Sequence, residues 1–229
     1  MILDQVKGGI IVSCQALEDE PLHSPLIMGR MAKAATEGGA VGIRANSAAD
    51  ISEIKKNTNL PVIGIVKRDY KDSPIYITPT MREIEELATS DCSMIALDAT
   101  KRKRPHHESL EEFVKQIKKM VPNIYLMADV ATLEEARQAQ SLGFDCVSTT
   151  LIGYTEESKG MNIAQDDFLL LREMLDALDV PVIAEGNVDT PEKAKRCLEL
   201  GAYAVVVGSA ITRPQLITKR FTDYIKEAN

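Results

Sequence analysis

Short β-branched runs alternate with amphipathic stretches along almost the whole chain. Runs such as PVIGIVK at 61–67 and PVIAE at 181–185 are apolar without alternation, led by proline and closed by a charge. That is the pattern of a strand buried on both faces, which belongs to a parallel sheet. The chain reads as a strand over 8–15, then a helix from Leu26 to about Glu37 that stops at Gly38-Gly39. The pattern repeats as strand 40–47 and helix 48–57, then strand 60–67, a long loop 68–80 and helix 81–90. Strand 93–100 follows, with a basic loop 101–107 and helix 108–120, then strand 123–130 and helix 132–143. Thr132 and Glu135 have the spacing of a capping box. Strand 144–153, a glycine-bearing loop 154–162 and helix 166–178 come next. Strand 180–188 leads to helix 190–201, with Thr190 as cap and Pro191 at the first helical position. Strand 202–211 hands over to a helix from about Pro214 to Lys226. Eight strand–helix units with no Gly/Ser-rich or charge-biased linker predict one domain over 1–229, an α/β chain closed as a (β/α)8 TIM barrel.

In such a barrel the carboxyl ends of the strands form the active-site face, so Lys67 and Glu185 point into one bowl. Lys67 shares parity with Ile63 and Ile65, and Arg44 occupies a comparable terminal position on the neighbouring strand. A second cation and partial burial lower a lysine's pKa and leave some neutral amine able to accept a proton. The alternative is a solvated loop lysine. Glu185 shares parity with Ile183, and a carboxylate facing a barrel interior needs a partner; an ion pair with Lys67 or Arg44 is its structural reading. Gly186, Gly208 and Ser209 stand in the loops after the seventh and eighth strands, where barrels of this kind bind phosphate through backbone N–H groups. Tight turns are the alternative account of those glycines. Asp98 and Asp129 end strands as hydroxyl ligands or as structural caps. The loop Lys101–Arg104 is either a solvated charge run or a guard at the site's entrance. His23, His106 and His107 all fall in loops without a recurring His/Asp set, so no metal is expected.

Composition narrows the function. A net charge of −7 disfavours nucleic acid, and the chain has no tryptophan and few aromatics with which to build a base-stacking platform. Cys14, Cys92, Cys146 and Cys197 form no CxxC or Cys/His cluster and read as free thiols. No leader and no apolar stretch of membrane-spanning length are evident, which points to a cytoplasmic protein with no membrane partner.

Eight strings spread over nearly the whole chain add a resemblance: SCQALEDEPL, GGAVGIRANS, VIGIVKRDY with IYITPT, LDATKRKRP, ADVATLEEA, LGFDCVSTTLIGYT, PVIAEGNV and VVVGSAITRP. In this order they closely resemble the N-acetylmannosamine-6-phosphate 2-epimerase family, bacterial barrel enzymes of sialic-acid breakdown. The resemblance implies interconversion of N-acetylmannosamine 6-phosphate and N-acetylglucosamine 6-phosphate, with no cofactor and no metal. It implies a catalytic Lys67 and Glu185, ligand contacts at Gln15, Arg44, Asp129 and Arg213, and phosphate at Gly186, Gly208 and Ser209. His106–Glu108 and Asn187 depart from the residues usual in that family, which bears on loop contacts. Rival readings are a pentulose-phosphate 3-epimerase, disfavoured by the missing His/Asp set, a ribulose- or indole-type phosphate isomerase on the same barrel, and a non-catalytic phosphosugar-binding barrel. A homodimer is the expected assembly, from how often such barrels pair. Strands 3 and 7 lie opposite each other on a ring roughly 15 Å across, so inward Lys67 and Glu185 side chains leave a gap on the order of 5 Å. That gap permits a two-base proton transfer, and equally a Lys67 that swings past a rotated open-chain substrate to make both transfers while Glu185 holds a hydroxyl or aids ring opening; Lys67 is the firmer assignment as the C2 base.

Overall fold

The computed structural model describes residues 1–227. Eight parallel strands pair in sequence order and close through the first and last: β1 (Ile10–Cys14), β2 (Gly42–Asn46), β3 (Val62–Ile65), β4 (Met94–Asp98), β5 (Tyr125–Asp129), β6 (Cys146–Ser148), β7 (Val182–Ala184) and β8 (Ala204–Val207). The helices are α1 (Ile2–Val6), α2 (Pro25–Glu37), α3 (Ala48–Asn57), α4 (Met81–Ala88), α5 (Leu110–Met120), α6 (Leu133–Ser141), α7 (Leu169–Ala177), α8 (Pro191–Glu199), α9 (Ser209–Thr212) and α10 (Pro214–Glu227). The (β/α)8 barrel expected from the sequence is the fold observed.

Strand parity divides the apolar residues between two cores. Outward positions such as Val12, Ile43, Ile95, Leu97, Leu126 and Val205 pack against the helices. Inward positions such as Ile11, Ile63, Met94, Met127, Cys146 and Ile183 fill the barrel. Each buried side chain of this kind contributes roughly 1.5–3 kcal/mol relative to exposure. Gly64 belongs to the outward set: a Cβ there would lie 2.9 Å from both Ile51 and Leu87, so its absence lets α3 and α4 seat on β3. Two residues further along the same inward rows the chemistry changes, from Ile11 to Ser13, Ile65 to Lys67, Ala96 to Asp98, Met127 to Asp129, Cys146 to Ser148 and Ile183 to Glu185. The lower half of the barrel is therefore apolar, and the upper half is polar.

Caps fall where the sequence places them. Thr132 and Glu135 form the capping box of α6, and Thr190 caps α8 with Pro191 in its first turn. Thr80 and Glu83 form a second box on α4.

Four expectations are corrected. Helix α1 was not anticipated, since five residues are too few to show periodicity; Ile2 and Val6 are buried and join the barrel's inner core from below. Helix α7 begins at Leu169 rather than 166, because Asp166, Asp167 and Phe168 are left-handed, with φ of 51°, 54° and 59°. Arg172 holds that turn through the Asp166 and Asp167 carbonyls, and Arg196 through the Asp167 carboxylate at 2.9 Å. Strand β8 ends at Val207, and Ser209–Thr212 is a helical turn, the backbone breaking at Gly208 (φ −110°, ψ −99°). Arg44 is not terminal: it lies in mid-strand opposite Ile63, so its side chain must reach upward to the polar layer.

Candidate active site

An open cavity of about 960 Å³ occupies the carboxyl ends of the strands. Gln15, Arg44, Lys67, Glu185, Gly186, Gly208, Ser209 and Arg213 all line it. Asp129 does not; it lies fully buried behind Arg44.

Lys67 sits two residues beyond β3, where its backbone is clamped rather than free. It bridges Ile77 in antiparallel fashion, and its N–H donates to Asn46 Oδ1 at 2.8 Å. On either side, Thr78 N donates to the Val66 carbonyl at 2.8 Å and Arg68 N to the Tyr76 carbonyl at 3.0 Å. The ammonium group has no such company among the described residues. The two carboxylates that act on it from a distance, Glu185 and Glu20, are each taken by an arginine, Arg44 at 2.6 Å and Arg213 at 2.7 Å. Burial first, then the charges of Arg44 and Arg213, push the lysine pKa down to about 8, against the opposing pull of Glu185 and Glu20.

Arg44 is 1 % exposed and holds two acids at once. Its Nη1 and Nη2 donate to Asp129 Oδ1 and Oδ2 at 3.0 and 2.5 Å, and Nη1 also donates to Glu185 Oε2 at 2.6 Å. Burial works against its charge, but Asp129 and Glu185 outweigh that and raise its pKa further. Arg44 Nε is buried and has no acceptor among the described residues.

Glu185 follows β7 directly. The Thr149 hydroxyl accepts from Glu185 N at 2.9 Å and lies 2.7 Å from the Glu185 carbonyl, so the backbone is stapled on both sides. Its hydrogen bonds from Arg44, from Thr150 at 3.0 Å and from Ser148 at 3.3 Å all fall on Oε2. Oε1 is thereby left to the cavity. Burial raises the Glu185 pKa; Arg44 opposes this and the neighbouring Asp129 charge adds to it.

At the far end, Gly186 has φ +92°, and a Cβ there would stand 3.3 Å from the Thr150 carbonyl, so only glycine suits this turn. Arg213 Nη1 donates to Ser209 Oγ at 3.1 Å, and Gln15 Nε2 to Ser13 Oγ at 2.8 Å. Both arginine and hydroxyl face the cavity beside Gly208.

The remaining candidates divide. Asp98 is a structural cap: it accepts from Thr100 N and Oγ1 at 3.0 and 2.7 Å and pairs with Arg102. The basic loop does not guard the site, since none of residues 101–104 lines the cavity. Arg104 is buried, donates to the Pro79 carbonyl at 3.0 Å and stacks 4.6 Å from the Phe113 ring. His106 and His107 form a short 3-10 turn with Pro105, whereas His23 lines the cavity. Among the described residues, no three His, Cys, Asp or Glu side chains are grouped to hold a metal ion, and no helix is long and apolar enough to cross a membrane.

Ser13, Asn46, Ser148, Thr150 and Glu20 were missed. The first four were findable, since each continues an inward row of its strand by parity. Glu20 was not, because loop position carries no periodicity.

The chain matches, over residues 28–227, the family model described as "Putative N-acetylmannosamine-6-phosphate epimerase". A relative in Enterobacter sp. named "Putative N-acetylmannosamine-6-phosphate 2-epimerase" is 60% identical over 225 residues, covering 98% of this chain and 96% of its own. One of the same name in Oceanobacillus iheyensis is 59% identical over 220 residues, covering 96% of this chain and 99% of its own. The solved N-acetylmannosamine-6-phosphate 2-epimerase from Clostridium perfringens superposes with a TM-score of 0.92 at 59% identity, over 98% of this chain and 96% of that one. By sequence and by fold, this chain belongs to the N-acetylmannosamine-6-phosphate epimerase family.

Proposed function

We propose that this barrel interconverts N-acetylmannosamine 6-phosphate and N-acetylglucosamine 6-phosphate by removing the C2 proton and returning it to the other face. The observation that carries this reading is Lys67: an amine inside a polar cavity, unpaired with any carboxylate among the described residues, with a pKa lowered to about 8. At pH 7 roughly a tenth of such a group is neutral, and the neutral form is a base.

Ring opening gives an aldehyde at C1, which makes the C2 proton acidic. Lys67 removes it, and negative charge develops on the C1 oxygen only as the transition state forms. A donor fixed beforehand is most effective there. Arg44 Nε is a buried donor without an acceptor among the described residues, and Asp129 and Glu185 hold its guanidinium still. Glu185 Oε1 is available to a substrate hydroxyl or to the opposite face of C2. Arg213, Ser209 and the turns at Gly186 and Gly208 take the phosphate, whose binding orients the reacting carbon. The pathway is amino-sugar and sialic acid catabolism.

The test is an NMR time course in heavy water. Lys67→Ala is expected to lose both epimerisation and C2 solvent exchange, by at least about 10³-fold for removal of a general base. Full epimerisation by that variant overturns the assignment.

A further inference from the structure

Arg213 reaches the phosphate end of the cavity from the stretch just before α10, with no strand to fix it. What fixes it is a carboxylate from the opposite end of the chain. Glu20 lies in the loop between β1 and α2. Its Oε2 accepts from Arg213 Nη2 at 2.8 Å and its Oε1 lies 2.7 Å from Arg213 Nε, outside good hydrogen-bond alignment. Oε1 also accepts from Gln215 Nε2 at 3.1 Å, and Oε2 from Leu17 N at 2.8 Å, which closes the turn in which Glu20 itself sits.

A guanidinium carries five N–H donors in a planar fork. The Glu20 carboxylate covers the side edge made by Nε and Nη2, and Ser209 takes one hydrogen of Nη1. One hydrogen on each Nη is then left without an acceptor among the described residues, a pair of donors from which two phosphate oxygens can accept. A carboxylate beside a phosphate site carries an electrostatic cost, and the geometry explains why it stands there.

Resting on the activity proposed above, we infer that Glu20 is a positioning residue for phosphosugar binding, holding Arg213 by one edge so that the other is presented to the substrate's phosphate. A second consequence follows from charge: Glu20 also favours the protonated form of Lys67, which lies in the same cavity. Losing Glu20 therefore acts on phosphate affinity and on the base together, and in opposite directions.

The experiment is steady-state kinetics of Glu20→Gln across a pH series, with inorganic phosphate as a competing inhibitor and Glu20→Asp as the conservative control. Glutamine keeps an acceptor for Leu17 N, and a thermal melt checks that the loop still folds. The expected result is a rise on the order of tenfold in KM and in the phosphate Ki, with kcat changed less than about threefold. The acid limb of the kcat profile moves about half a unit to lower pH. Glu20→Asp recovers most of the KM. An unchanged KM and Ki in Glu20→Gln overturns the inference, and a fall in either shows that Glu20 competes with phosphate instead. A wild-type protein that turns over no N-acetylmannosamine 6-phosphate, yet whose phosphate binding weakens in Glu20→Gln, fails the activity proposal and leaves the positioning role standing.

Discussion

Asp98 and Asp129 are register partners on adjacent strands, each the last residue of its strand, each inward by parity and each fully buried. Their surroundings nonetheless give them different work. Asp98 meets cations supplied by its own loop: Arg102 pairs with its carboxylate and Arg104 donates to its carbonyl. Both oxygens are filled locally, and the cluster anchors the chain between β4 and α5. Behind Asp129 come Val130, Ala131 and Thr132, which carry no charge, so its countercharge arrives from across the barrel as Arg44. That guanidinium also holds Glu185, which makes two acids to one cation. The surplus negative charge looks across the cavity to Lys67. An acid at a strand end thus becomes part of a reactive cluster when the nearby sequence fails to neutralise it, and part of the scaffold when it does.

The contrast breaks first at Glu185. Replacing it by glutamine removes the surplus charge and the free Oε1 acceptor, and kcat is expected to fall on the order of 10²-fold or more, with the melting temperature within about 4 °C of wild type. A large loss of stability with little loss of turnover would place Glu185 in the scaffold alongside Asp98.

The pH profile sharpens it. With a Lys67 pKa near 8, kcat/KM is expected to fall towards acid below that value, approaching about tenfold per unit as the amine protonates. Because the Glu185 charge favours protonated Lys67, the residual activity of Glu185→Gln should have its acid limb at lower pH, whereas in Asp98→Asn the limb stays in place. An acid limb that does not move in Glu185→Gln would separate the two groups electrostatically.

Smallest in turnover is Asp98→Asn itself. Uncoupling a buried acid from Arg102 is expected to destabilise the fold by about 3 kcal/mol, which lowers the melting temperature by roughly 6–12 °C. Turnover measured well below that temperature should remain within about threefold of wild type. A hundredfold loss with an unchanged melt would move Asp98 into the reactive site.

The barrel was legible in the linear chain because its cause is local and repeated. Each β-branched run and each amphipathic stretch declares its element without reference to the others, and eight alternating units admit few closures. Lys67 and Glu185 were legible for a related reason: a charge ending an apolar run, in step with the inward rows, has one place to go. Family strings then named Gln15, Arg44 and Arg213. Two-residue periodicity could not say which strand-end acids share a cation, since Arg44 and Asp129 are 85 residues apart and meet only when closure of the ring turns the inward sides of β2 and β5 toward each other. Nor could it find α1, too short to show a period, or the left-handed turn before α7, which distant Arg196 helps to hold. Glu20 and Arg213 are 193 positions apart and join only where the first and last strands meet. Hydrophobic patterning acts residue by residue, so it is written along the chain; charge pairing acts through space, so closure of the barrel decides it.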